Sequence, residues 1–207
     1  MKAAVPAATA SPARLRAANV LSEVFQPPVT VLAMLLLSPA VEPGFPRTAG
    51  YGAVAGLFVC VLPLIVVLVL VRLGKVTDHH VSTRSQRPLV LLMAIASVLA
   101  GIGVLVAVNA PRSVLAAMLA VVAGVAIVAV ISAYWKISGH AAAISCAAVV
   151  IIAILGPAWL PLLLLIPAVG WSRLVLRAHT FGQVVAGGLF GAVVMAGLWW
   201  LFVQWLV

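Results

Sequence analysis

Residues 89–110 read LVLLMAIASVLAGIGVLVAVNA, and residues 114–135 read VLAAMLAVVAGVAIVAVISAYW. Neither stretch holds a charged side chain, and each is close to the roughly 20 residues a helix needs to cross a bilayer's hydrocarbon core. In that water-free interior every backbone N–H and C=O must find its partner within the protein, which makes such runs helices. A membrane β-barrel would alternate apolar and polar residues with period two, and neither run does.

The rest of the chain repeats the pattern. Apolar runs fall at 18–41, 50–73, 89–110, 114–135, 138–156, 158–171 and 178–206. The chain is 66% hydrophobic and 7% charged, whereas a soluble domain has about 25% charged residues. These features predict an all-α fold, a polytopic transmembrane helical bundle of six or seven spans. Pro27 and Pro28 should bend the first span. Residues 1–17, with Lys2, Arg14 and Arg16 among alanines, read as a basic N-terminal tail, and residues 18–207 as a single transmembrane domain. Cys60 and Cys146 both sit inside apolar runs, where cysteine behaves as a small hydrophobe rather than a disulfide partner or metal ligand. Gly187-x3-Gly191 has the spacing that lets two helices approach closely. The Trp199-Trp200 pair and Trp205 read as an interfacial belt.

The formal net charge is +9. The cations sit in short loops between apolar runs, so attraction to headgroups and phosphates explains the charge better than nucleic acid does. Seven spans put alternate loops on opposite faces. Every lysine and arginine except Arg47 and Arg112 then gathers on one face, which the positive-inside rule assigns to the cytoplasm. This places the protein in the plasma (inner) membrane.

The reactive side chains cluster on that same face. His80 and Arg87-Pro88 precede the third span, Ser138-Gly139-His140 opens the fifth, and Ser172-Arg173 with His179 precedes the last. Arginine forks match phosphate oxygens in pairs. Backbone N–H groups at a helix start face an anion with the helix dipole behind them. One histidine can attack phosphorus while another protonates the leaving oxygen. This is the inventory for a phosphate ester. Asp78, His79 and His80 supply no spacing suited to a metal ion.

At these residues the chain resembles the type 2 phosphatidic acid phosphatase family. Its signature is K-x6-R-P, then P-S-G-H, then S-R-x5-H-x3-D. Here the blocks read His80-x6-Arg87-Pro88, Ile137-Ser138-Gly139-His140 and Ser172-Arg173-x5-His179-x3-Gln183. The resemblance covers roughly residues 75–190 and implies a membrane lipid phosphatase that needs no metal or other cofactor. It makes His179 the nucleophile, through a phosphohistidine, and His140 the general acid. Arg87, Arg173, Ser138 and the Gly139 amide would hold the phosphate. His80 stands where the family has lysine, and Ile137 where it has proline. Gln183 stands where the family has aspartate; an amide four residues on can hydrogen-bond His179 but cannot neutralise an imidazolium. The expected substrate is a lipid phosphate or diphosphate, polyprenyl-linked by preference. The substitutions at Gln183 and His80 also admit a non-catalytic lipid-phosphate-binding or assembly protein.

Overall fold

The computed structural model describes residues 11–77 and 87–207, and every regular element among them is helical. Helices α1 (Pro12–Val24) and α2 (Pro27–Leu37) lead through a 3-10 turn, Ser38–Val41, to α3 (Ala49–Arg72). Then come α4 (Arg87–Ala107), α5 (Arg112–Tyr134), α6 (Gly139–Leu155), α7 (Pro157–Val175) and α8 (Phe181–Leu206). By length and composition α3, α5, α7 and α8 can cross a membrane, and the pair Pro12–Val24 and Pro27–Val41 makes a fifth if taken as one bent span. The chain therefore fits an integral membrane protein with four spans, up to five, among the described residues. The six or seven expected from apolar runs are not confirmed: Leu92–Ala107 within α4 and Gly139–Leu155, which is α6, are apolar but shorter stretches. Helix α6 has 17 residues, about 25 Å at 1.5 Å per residue, against a hydrocarbon core of about 30 Å.

Local chemistry sets the breaks. Pro27 and Pro28 occupy the first positions of α2, so the chain bends by 41° between α1 and α2. Within α3 a π-helical turn, Leu57–Val61, directly precedes the stretch containing Pro63, whose ring cannot pack under the preceding turn. Helix α4 ends with Asn109 left-handed at φ 52°, where Asn109 N–H bonds to Val106 C=O and Ala110 N–H to Leu105 C=O. Residues 12–17, read from sequence as tail, are instead the start of α1. Pro12 begins it and the Ser11 side chain accepts from the Arg14 N–H.

Helix α6 is the hub. Ala141 to Ala148, Val150 and Ile151 are all buried, and the helix packs against α2, α7 and α8. Its run of alanines lets neighbours approach closely. A Cβ at Gly191 would lie 2.0 Å from the Ala142 carbonyl oxygen, and one at Gly187 would lie 2.5 Å from the Ser138 carbonyl oxygen. The Gly187-x3-Gly191 spacing thus works as the sequence suggested. Cys60 and Cys146 are free and buried. The tryptophan belt needs correcting: Trp200 and Trp205 face outward, but Trp199 is 5% exposed and joins the core with Met195, Ala196 and Val203. Adjacent helical residues point about 100° apart, so a Trp pair cannot place both rings on one face.

Gly191→Ala should lower the thermal unfolding temperature in detergent by several degrees, the cost of overpacking being about 1–3 kcal/mol. Gly197→Ala should leave it nearly unchanged, since no atom lies within 4 Å of the added methyl. Equal shifts for the two variants would contradict the close α6–α8 approach.

Candidate active site

The second and third sequence blocks meet where α6 and α8 begin. Ser138 donates its backbone N–H to the Gln183 carbonyl at 3.2 Å. Its hydroxyl accepts from the Ala141 N–H at 3.4 Å and caps α6. Ser138 is 0% exposed, so its visible work is to cap and tether rather than to face a ligand. Gly139 and His140 follow it half-buried in the first turn of α6. A methyl at Gly139 would meet nothing within 4 Å, which leaves room beside this helix start.

A tight turn ends α7. Arg177 stands left-handed at φ 52°, its N–H bonded to Leu174 C=O, while the Ala178 N–H reaches Arg173 C=O at 3.0 Å. This turn reverses the chain so that His179 falls at the mouth of α8, which Thr180 caps. The Thr180 hydroxyl accepts from the Gln183 N–H, and the Gln183 side-chain oxygen accepts from the Thr180 N–H at 3.1 Å. That reciprocal pair fixes which end of the Gln183 amide points back, because its NH2 group could not face a backbone N–H. The same oxygen, Oε1, lies 3.2 Å from His179 Nδ1. An amide oxygen only accepts, so Nδ1 carries the proton and the lone pair sits on Nε2. Gln183 thus fixes which nitrogen of the neutral His179 ring carries the proton.

Arg173 is half-buried. Its Nη1 donates to the Ser22 hydroxyl of α1, and its Nε is buried without a hydrogen-bond partner. The exposed carboxylate of Glu23 also acts on the Arg173 charge. Two residues the sequence assigned no chemistry therefore belong to this cluster. One is Ser22, a buried polar residue of α1 followed by the exposed Glu23 and Val24. The other is Lys136, read from sequence as a headgroup anchor. Its Nζ donates to the Ala178 carbonyl at 2.9 Å, beside His179. The signal for Lys136 was its place two residues before Ser138, inside the second block's reach. Of the first block, Arg87 begins α4, but its side chain and His80 lie outside the described residues, as do Asp78 and His79. Among the described residues no three metal-ligating side chains gather.

Burial pushes the His179 imidazole below its ordinary value. The Lys136 charge lowers it further, the hydrogen bond that the ring donates to Gln183 partly opposes, and Arg173 adds a smaller lowering. All these influences except the Gln183 bond favour the neutral ring.

Residues 131–206 match the PAP2 superfamily. This stretch holds Lys136, Ser138, His140, Arg173, His179 and Gln183, though not Ser22 or Glu23, and the match makes the chain consistent with a member of that superfamily. Proteins of the PAP2 superfamily are generally phosphatases, which supports hydrolysis of a phosphoric ester here. No curated protein and no solved structure shows a significant match.

If His179 is the nucleophile it acts when neutral, so kcat/KM should fall as pH drops through its pKa, with the acid limb below the ordinary histidine range. Lys136→Met should move that limb upward, and Lys136→Arg should restore it. An unmoved limb in Lys136→Met would remove lysine from the site.

Proposed function

We propose that the protein is a membrane phosphatase that hydrolyses a lipid phosphate or diphosphate at the cytoplasmic interface through a phosphohistidine on His179. The observation that carries this reading is the Gln183 oxygen shared between the Thr180 N–H and His179 Nδ1. It leaves the lone pair on Nε2, and Arg173, whose charge acts on the same ring, has its Nε buried and unpaired. Nε2 attacks phosphorus, the bond from phosphorus to the lipid oxygen breaks, and His140 gives that oxygen its proton. Water then attacks the phosphohistidine, His140 takes the water's proton, and inorganic phosphate leaves. The Arg173 and Arg87 side chains and the Gly139 N–H at the start of α6 offset charge on the phosphoryl oxygens. A polyprenyl-linked phosphate is the preferred substrate, on the strength of the family resemblance and the cation-rich face.

The neutral amide at Gln183 favours a second reading, a relative that binds lipid phosphate without turning it over. Catalysis by His179 requires an imidazolium-like charge that a carboxylate would stabilise better.

Phosphate release by purified protein over a panel of lipid phosphates separates the two. The parent should release phosphate and His179→Ala should release none. Gln183→Glu keeps the oxygen in place and adds a charge, so it should accelerate the reaction, by up to about 10². No release from any lipid by parent and by Gln183→Glu alike, with lipid phosphate still bound by the parent, would favour the binding reading instead.

A further inference from the structure

A cavity of about 230 Å³ lies between α1, α2, α6 and α7, and its lining is apolar apart from Thr30. Three elements that build the candidate site also wall this cavity. On α1, Ser22 touches Arg173, and Val24 and Phe25 just beyond it line the cavity. On α6, Ile144 and Ile151 lie four and eleven residues after His140. Those offsets are one and three helical turns, so the lining shares a helix face with His140. On α7, Leu165 lies eight residues before Arg173.

The depths agree. At 1.5 Å per residue, Ile144 lies about 6 Å and Ile151 about 16 Å along α6 from His140, while Leu165 lies about 12 Å along α7 from Arg173. One leaflet's share of the hydrocarbon core is about 15 Å. The cavity therefore spans the depth of a single leaflet, starting a helical turn beneath the site. Its side toward α2 is open: Val29 is 44% exposed and Ala33 is exposed beside it.

We propose that this cavity seats the hydrocarbon tail of a lipid phosphate drawn from the same leaflet, with the tail running down the His140–Ile144–Ile151 face. The inference rests on the phosphatase reading for what sits at its upper end. His140 is the residue that protonates the leaving oxygen, and the leaving oxygen carries the tail, so the tail must depart on the His140 side of phosphorus. The bend between α1 and α2 exposes Val24 and Val29 at the cavity's edge. A lipid can slide in sideways there without its headgroup crossing the apolar interior.

The test compares butyl phosphate with dodecyl phosphate in detergent micelles. Each methylene removed from water is worth about fourfold in affinity, so parent kcat/KM should strongly favour the longer chain. Ala33→Phe and Val29→Phe fill the open side. Each should cut the dodecyl-to-butyl ratio at least tenfold relative to parent; comparison with parent cancels partition into the micelle. A ratio unchanged in both variants overturns the proposal. Equilibrium binding of dodecylphosphonate, which cannot be hydrolysed, separates this inference from the catalytic one. If parent binds it, Ala33→Phe weakens that binding tenfold and neither protein hydrolyses any phosphate, the tail seat stands and the phosphatase reading fails. If dodecylphosphonate binds no better than butylphosphonate, the tail seat fails whatever the turnover.

Discussion

The backbone contact between α6 and α8 is the constraint on which the candidate site depends. It exists because Gly187 and Gly191 carry no side chain where α8 crosses the carbonyls of Ser138 and Ala142. With the helices that close, the Ser138 N–H reaches the Gln183 carbonyl, and the two helix starts share one register. His140 then stands in the first turn of one helix and His179 immediately before the first turn of the other. Neither position owes anything to sequence proximity, since the two histidines are separated by all of α7. A methyl group at position 191 would push the helices apart, and the register of the two starts would go with it.

A second layer of organisation is local and runs through caps. Thr180 and Gln183 close the start of α8 as a capping box, a device whose ordinary purpose is to satisfy free N–H groups. Here the box also settles a question of proton position, because the oxygen that caps the helix is the one that meets His179. The ring's tautomer thus follows from helix-end chemistry rather than from a dedicated carboxylate. What the amide lacks is charge, and Lys136 and Arg173 nearby add more positive potential instead. Burial first, and then that potential, favour the neutral imidazole and make a positive charge on the ring harder to bear. An anionic phosphate arriving at the site would offset part of it.

Much of this was legible in the sequence. The apolar runs gave the helices, Pro27-Pro28 gave the bend, and Gly187-x3-Gly191 gave the close approach, since each depends on spacing within one segment. The second and third blocks were legible because their spacing places His179 and Gln183 one helical turn apart. Helix lengths were not, because helix ends at Ser138 and Gly156 depend on caps that apolar content does not report. The burial of Trp199 depends on what α8 faces, namely α5 and α6, and no count of aromatic residues reveals a neighbour. Lys136 and Ser22 escaped for the same reason: each acts through a contact with a distant segment, Ala178 and Arg173 respectively.

The central claim is that His179 bonds covalently to phosphorus. Quenching the purified protein during turnover of a phosphorus-labelled lipid phosphate, at alkaline pH where phosphohistidine survives, and mapping the label by mass spectrometry tests it most directly. The account predicts label on the peptide bearing His179, at substoichiometric level in the parent and absent from His179→Ala. Steady phosphate release with no label on that peptide, or with label on His140 instead, would contradict it.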